Sequence, residues 1–407
     1  MGGLHKKCIG IIVYSINSVR LHAVSFKTKV KNMNKKMNLT NKLLFRDVVD
    51  RINSIEFNGS TSIGPYVVEL DPTASCDLAC PGCISEDIIA EGGRINNKRL
   101  IELGEELIDA GVKAVILIGG GEPLVHPKAG ELINLLGKSD IQIGITTNGT
   151  MIDRYIEEIA EYSNWTRVSM DAGTSSMFHK LRPSKTGKFV FDKVINNMSM
   201  LASKKKGLLG YSFLIQSEAD GEGVCENTND IYVAAKLAKN IGCDYFELKP
   251  SYSFRNNVKH SLQIHQIDFL KRTADAIEKV NELENENFKI LHAINLEDSL
   301  KGVLSKQDKE YSHCPSVNLR TLITPKGVYA CPYWRGKDDY KLGDITEQSF
   351  QSVWSSLKKK NMIDNLDPSK LCNFHCLRHT TNERCIDIKD SKNNLIISDK
   401  NTPDRFI

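Results

Sequence analysis

Between Tyr66 and Pro250, short apolar runs alternate with amphipathic stretches. The runs Tyr66–Leu70, Ala114–Ile118, Ile141–Ile145, Thr166–Met170, Leu208–Ile215 and Tyr245–Leu248 read as strands, being short, β-branched and bounded by turn residues. Helical periods fill the intervals. Near 98–110, Leu100, Leu103, Leu107 and Ala110 fall at spacings of three and four, and Gly111 follows as a stop. Near 229–241, Ile231, Ala234, Ala235, Ala238 and Ile241 repeat the pattern. Six β–α units in series predict an α/β fold, a parallel sheet with helices outside it. Six strands suit a partial (β/α)6 TIM-like barrel, open on one side.

After Pro250 the pattern changes. A helix is expected over 263–284, with Ile267, Leu270, Ala274, Ile277 and Val280 as its stripe, and 285–313 is mixed. Leu319–Thr324, Pro325-Lys-Gly327 and Val328–Cys331 read as strand, tight turn and strand, and 347–361 as helix. The domain boundaries expected are therefore a basic leader over 1–36, a barrel over 37–255, a helical linker over 256–310, a small α+β extension over 311–388 and a loose polar tail over 389–407. Residues 1–46 carry ten Lys or Arg and no Asp or Glu. Transit peptides share that bias, but a start at Met33 or Met37 accounts for it more simply.

Composition narrows the class. Hydrophobic residues make up 41% and charged residues 26%, as in ordinary soluble proteins, and a net charge of +4 gives no case for nucleic acid. No run of roughly 18 apolar residues marks a membrane span. The eleven cysteines cluster at 76, 80 and 83, then at 314, 331, 372, 376 and 385, with Cys8, Cys225 and Cys243 apart. Disulfide frameworks belong to small secreted domains; close clusters in a long chain point to metal. Such thiolates need a reducing compartment, and a cytoplasmic protein is expected.

Cys76-Asp-Leu-Ala-Cys80-Pro-Gly-Cys83 has the spacing C-x3-C-x2-C. Three thiolates can hold three irons of a 4Fe–4S cube and leave the fourth open for chemistry. A structural zinc site normally takes four ligands, and no fourth Cys or His lies nearby. Every strong motif falls at the C-terminal end of an expected strand, the rim where α/β barrels place their sites. The cysteine loop follows the first strand, Gly119-Gly120-Gly121-Glu122-Pro123-Leu124 the second and Thr146-Thr-Asn148-Gly149 the third; Ser169-Met-Asp171 ends the fourth.

In order, spacing and strand context, residues 66–250 resemble the radical S-adenosylmethionine (SAM) enzymes. The resemblance implies that Cys76, Cys80 and Cys83 hold a SAM-binding 4Fe–4S cluster, that SAM chelates the open iron, and that its reductive cleavage yields a 5′-deoxyadenosyl radical. It further implies that Gly119, Gly120, Gly121 and Glu122 receive the methionine ammonium. Asn148 is expected to bond either SAM or only its own turn, and Ser169 and Asp171, alternating on one strand face, to meet the ribose. Gly82 departs from the pattern, which has an aromatic residue before the third cysteine, so the adenine contact differs. Ser212, Gln216 and Lys249 are further inward polar positions, open to SAM or substrate.

The second cysteine group resembles the SPASM or shorter twitch extensions, which carry auxiliary 4Fe–4S clusters. Five cysteines favour a single cluster, with Cys314, Cys331, Cys372 and Cys376 as ligands and Cys385 in reserve; the alternative is zinc on Cys372, His375, Cys376 and His379. Cys225, on the active rim, is a weak candidate hydrogen-atom donor and more simply a buried small residue. Cys243, His126 and His179 read as structural. The expected function is an oxidoreductase served by a flavodoxin- or ferredoxin-like electron donor. The substrate expected first is a small polar molecule, a sugar, cyclitol or nucleotide derivative, because about 30 residues before the first strand leave little room for a peptide-recognition module. A peptide-modifying maturase is the alternative, and a non-catalytic iron–sulfur sensor or scaffold the second.

Overall fold

A computed structural model describes residues 39–55, 63–218, 222–251, 267–293, 296, 308–372, 374, 376–390 and 396–407. Ten strands form one sheet: β1 (Val67–Leu70), β2 (Ala114–Leu117), β3 (Gln142–Thr147), β4 (Ser163–Ser169), β5 (Leu208–Ile215), β6 (Tyr245–Pro250), β7 (Lys289–His292), β8 (Arg320–Thr324), β9 (Gly327–Tyr329) and β10 (Lys341–Gly343). Their order is β10-β9-β8-β1-β2-β3-β4-β5-β6-β7. All six expected strands are present. The run is longer than expected: β7, from the stretch 285–313, pairs in parallel with β6. The span 256–310 is therefore not only a helical linker, since it supplies an edge strand of the barrel sheet. On the other side, β8 pairs in parallel with β1, Val67 against Arg320. The C-terminal hairpin β8–β9 thus extends the barrel's own sheet, turning at Gly327, whose φ of 134° favours glycine.

The helices form where the period and caps placed them. Asn96 accepts from the Lys98 N–H and opens the helix Asn97–Asp109, which buries Leu100, Leu103 and Leu107. Gly111, at φ 73°, turns the chain into β2. The helix Ile231–Ile241 buries Ile231, Ala234, Ala235 and Ala238 and ends on left-handed Gly242. In the extension, the Trp354 indole donates to the Ile63 carbonyl at 2.8 Å, and the Phe350 N–H donates to Glu106 at 2.7 Å, tying the extension to the barrel helices.

Strand alternation sorts the apolar positions into two cores. Val68, Leu70, Val115 and Leu117 join the helix-side core. Val67, Ala114 and Ile116 face the other way, into the concave side, where they pack with Leu43, Val48, Ile52, Phe406 and Ile407. The helix Arg46–Ser54 and the last residues of the chain therefore plug the barrel's lower end. This corrects the expectation of a loose tail: Phe406 meets Trp165 edge-on at 5.2 Å, and Ile407 is 3% exposed. The tail reads as polar because few apolar residues, Ile397, Phe406 and Ile407, dock it, with backbone and charged contacts at Ser398, Thr402 and Asp404 completing the attachment.

Candidate functional site

The cysteine loop leaves β1 at the barrel's C-terminal rim, and all three thiols are half-buried. Two neighbours fix the loop. The segment after Arg182 straps it: the Ala79 N–H donates to the Pro183 carbonyl (2.8 Å) and the Lys185 N–H to the Asp77 carbonyl (2.9 Å). From β3, the Asn148 amide donates to Asp77 Oδ1 (2.7 Å) and points at Cys76 Sγ (3.9 Å), while its Oδ1 accepts from the Thr150 N–H. Asn148 therefore serves its own turn, and its amide lies beside the first thiol.

The glycines allow one loop to pack closely on another. A Cβ on Gly121 would lie 2.2 Å from the Ser75 carbonyl oxygen, and one on Gly120 would lie 2.6 Å from Ile88 Cγ2 and 2.8 Å from Asp71 Oδ2. Their bareness lets the glycine loop nest against the cysteine loop. The Gly121 N–H donates to Thr73 O and the Glu122 N–H to Ser75 O, so the two motifs form one unit. Glu122, 3% exposed, accepts from the Thr147 hydroxyl (2.7 Å), the Asn148 N–H (2.6 Å) and the Leu124 N–H (3.1 Å). Burial pushes its carboxyl up to about 7 despite those donors.

Ser169 ends β4 on the lumen side, opposite Ser212 of β5. Asp171 does not continue that face. It lies beyond the strand at φ 57°, and its carboxylate is consumed by Arg182 Nε (2.9 Å) and the Leu214 N–H (2.8 Å). Asp171 makes a positioning contact in this structure: it holds Arg182, whose Nη1 points at Cys80 Sγ (3.9 Å). Burial opposes the Arg182 charge, but Asp171 and the thiols outweigh it and raise its pKa. Sequence reasoning missed Arg182, a cation in a loop that no spacing singles out.

The second group is brought together more tightly. Cys314, Cys331, Cys372 and Cys376 line one cavity, walled by Tyr333, Trp334 and Phe374. N–H donors face the sulfurs: Asn382 Nδ2 is 3.3 Å from Cys314 Sγ, and the Arg378 N–H is 3.4 Å from Cys376 Sγ. Cys385 is corrected out of the ligand set. It is fully buried on the helix His379–Asp390 in the apolar plug with Leu43 and Ile52. His375 lies outside the described residues, and His379 is engaged by the Tyr311 hydroxyl (3.1 Å) and Glu383.

Both sets fit iron–sulfur clusters on their chemistry. Burial pushes Cys76 up to about 12 and Cys80 to about 11. It does the same to Cys314 (about 12) and Cys372 (about 11), and raises Cys331 and Cys376. Thiols so placed need a bound cation to lose their protons, and amide or guanidinium donors at the sulfurs are what a cluster's charge calls for. Among the described residues no three Cys, His, Asp or Glu side chains converge on one ion. A cube requires no such convergence, because each thiolate takes its own iron. Three thiols at the rim leave one iron open; four in the extension saturate a cluster.

Other candidates resolve as structure. Cys225 is half-buried against Met177 (Sγ–Sδ 3.6 Å), its loop touching the cysteine loop where Gly223 meets Pro81. Cys243 is 3% exposed. His126 bonds the Ile95 carbonyl (2.8 Å) and accepts from the Lys128 N–H, and His179 stacks on Phe189. Gln216 is buried. A charged belt that sequence reasoning missed lines the lumen above the plug: Glu69 with Arg320 (2.7 Å) and Arg378 (4.0 Å), and Arg167 with Glu247 (3.2 Å). The available signal was a charge amid apolar residues in a buried strand, as in Val67-Val-Glu-Leu70 and Tyr245-Phe-Glu247.

Comparison with known proteins agrees with this geometry. Residues 70–222 match the profile of the radical SAM superfamily, and 314–377 that of an iron–sulfur cluster-binding domain, SPASM. The mycofactocin maturase MftC of Mycobacterium tuberculosis is 23% identical over 303 residues, 72% of this chain and 71% of that protein. The antilisterial bacteriocin subtilosin biosynthesis protein AlbA of Bacillus subtilis is 22% identical over 72% of this chain and 60% of its own length. Among solved structures, Streptococcus suis SuiB bound to its precursor peptide SuiA superposes with a TM-score of 0.57 at 17% identity, covering 81% of this chain and 76% of SuiB. No described helix is long and apolar enough to cross a membrane.

Proposed function

The chain belongs to the radical SAM superfamily and carries a SPASM domain, and from that premise we propose that it is a peptide maturase, an oxidoreductase that draws a hydrogen atom from a peptide residue. What supports a peptide over the small polar substrate expected first is a single observation. Relatives matched over 72% of the chain include a maturase and a bacteriocin biosynthesis protein.

With a cluster and SAM bound, the site supplies a 5′-deoxyadenosyl radical at the barrel rim. The chain's own residues prepare that place. Cys76, Cys80 and Cys83 hold the rim cluster, and the strap at Pro183–Lys185 fixes their loop. Asn148 and Arg182 offer N–H donors to two of the sulfurs and favour their charged form. Asp171 fixes Arg182. Gly119–Gly121 bring the Glu122 turn against the loop. Cys314, Cys331, Cys372 and Cys376 would hold one auxiliary cluster between the aromatic walls of Tyr333, Trp334 and Phe374, an arrangement suited to taking up an electron from the substrate radical.

The test is anaerobic reconstitution with iron and sulfide, reduction with SAM, and addition of short peptides encoded beside the gene. A modified peptide seen by mass spectrometry, formed with 5′-deoxyadenosine and lost in Cys80→Ala, is expected. Stimulation of 5′-deoxyadenosine release by sugars or nucleotides and by no peptide would overturn the substrate reading. Iron remaining in the Cys76/Cys80/Cys83 triple alanine variant, and unaffected by Cys385→Ala, checks the auxiliary site; zinc in its place would refute it.

A further inference from the structure

We propose that the lumen wall formed by β4, β5 and β6 is a subsite for a carboxylate of the substrate, gripped by Arg167, Ser212 and Lys249. The proposal rests on the peptide reading for what bears that carboxylate, an acidic side chain or a chain end.

Three adjacent strands put these side chains on one face. In register, Arg167 pairs with Gly210 and Gly210 with Tyr245; Ser169 pairs with Ser212 and Ser212 with Glu247; Leu214 pairs with Lys249. The face is the lumen. Arg167 stacks over Trp165 (5.6 Å), which belongs to the plug, and the Tyr245 ring covers Gly210, whose added Cβ would fall 2.0 Å from it. The alternate residues Val168, Tyr211, Phe213, Phe246 and Leu248 are in the helix-side core.

Each of the three carries an unspent donor. Ser212 is 1% exposed and its Oγ has no partner. Arg167 places Nη1 on Glu247 (3.2 Å) and Nη2 on Thr146 Oγ1 (3.2 Å), but its buried Nε has no partner. Lys249 Nζ lies 4.0 Å from Glu247 Oε2, beyond hydrogen-bond reach. Buried donors without acceptors are costly and uncommon in native proteins, and two of them, Ser212 Oγ and Arg167 Nε, lie on the face that also carries the half-buried Lys249 ammonium.

The charge balance points the same way. Glu247 is one carboxylate between two cations, Arg167 and Lys249. Nearby Arg182 is paired with Asp171, the two acting on Lys249 in opposite directions, while Glu69 already faces both Arg320 and Arg378. The wall thus holds an excess positive charge on two half-buried side chains, Arg167 and Lys249, which an anion with two acceptor oxygens would offset. Burial and Arg167 lower the Lys249 ammonium to about 8, the mark of a cation short of counter-charge. The anion is not assigned to SAM. Ser169, expected to meet SAM, pairs with Ser212, so SAM affinity is measured beside substrate binding in each variant below.

The test uses cluster-loaded protein with SAM and measures equilibrium binding of four blocked tripeptide probes: acetyl-Ala-Glu-Ala-amide, its Gln isostere, acetyl-Ala-Ala-Ala with a free carboxylate, and the same with an amide end. Free glutarate is the fifth probe. A carboxylate probe should bind about tenfold more tightly than its neutral partner, the size of one charge-assisted hydrogen bond. Lys249→Gln and Ser212→Ala should each cut most of that ratio without changing iron content or SAM affinity. The Glu arm against the free-end arm tells which source the subsite takes. Glutarate binding that depends on Lys249, with no peptide bound, would keep the subsite and sink the peptide reading. Equal binding of charged and neutral probes, a ratio unmoved by both variants, or weakened SAM binding in both would overturn the proposal.

Discussion

Substituting Gly121→Ala tests whether the glycine loop and the cysteine loop are one packed unit. The added Cβ would stand 2.2 Å from the Ser75 oxygen and 2.6 Å from the carbonyl carbons of Ala74 and Ser75. Ordinary contact needs about 3.5 Å, so one loop must move by about 1 Å. The position has no positive φ, so alanine adds no intrinsic backbone strain and the whole effect is steric. Overpacking of this kind costs about 1–3 kcal/mol. The shift also stretches two hydrogen bonds, Gly121 N–H to Thr73 O (3.2 Å) and Glu122 N–H to Ser75 O (2.8 Å), each worth about 1 kcal/mol. The sum is about 2–4 kcal/mol, a fall of roughly 2.5–5 °C in the unfolding temperature of a 407-residue chain. Thermal unfolding of the metal-free protein reads the first consequence. Iron content of a variant that also lacks Cys314 and Cys331 reads the second, and should fall with it. Gly187→Ala is the control: its Cβ meets nothing within 4 Å, but its φ is 72°, so it should cost about 1 kcal/mol and leave iron untouched. Gly121→Ala unfolding within about 2 °C of the parent, with full iron, would refute the coupling.

Two further outcomes are expected. Burial raises the Glu122 carboxyl from 4.5 to about 7, so its contribution to the metal-free fold is complete below about pH 4.5 and is lost as pH rises through about 7; the loss is on the order of 3 kcal/mol. Denaturant midpoints at pH 5 and pH 8 should show this fall in the parent, and an equally steep fall in Glu122→Gln would contradict it. Phe406→Ala, which removes a ring that is 8% exposed and set edge-on to Trp165, should cost about 3 kcal/mol by urea titration; an unchanged midpoint would mean that the tail does not plug the barrel.

What the sequence determined by itself was local. Strand and helix positions follow from period and caps, because the spacing of apolar residues is enough to choose between 2.0 and 3.6 residues per repeat. The three rim cysteines were legible for the same reason: their ligand geometry is written within eight residues. Tertiary structure decided whatever depends on distant segments meeting. It set β7 and the β8–β10 strands on opposite sides of the six-strand run, drove Phe406 and Ile407 into the barrel, and separated Cys385 from the four thiols it follows in sequence. It also spent Asp171 on Arg182 and gathered Arg167, Ser212 and Lys249 from three strands onto one wall. No spacing encodes these meetings. A buried charge or hydroxyl is defined by the partner it finds or lacks, and that partner lies on another strand.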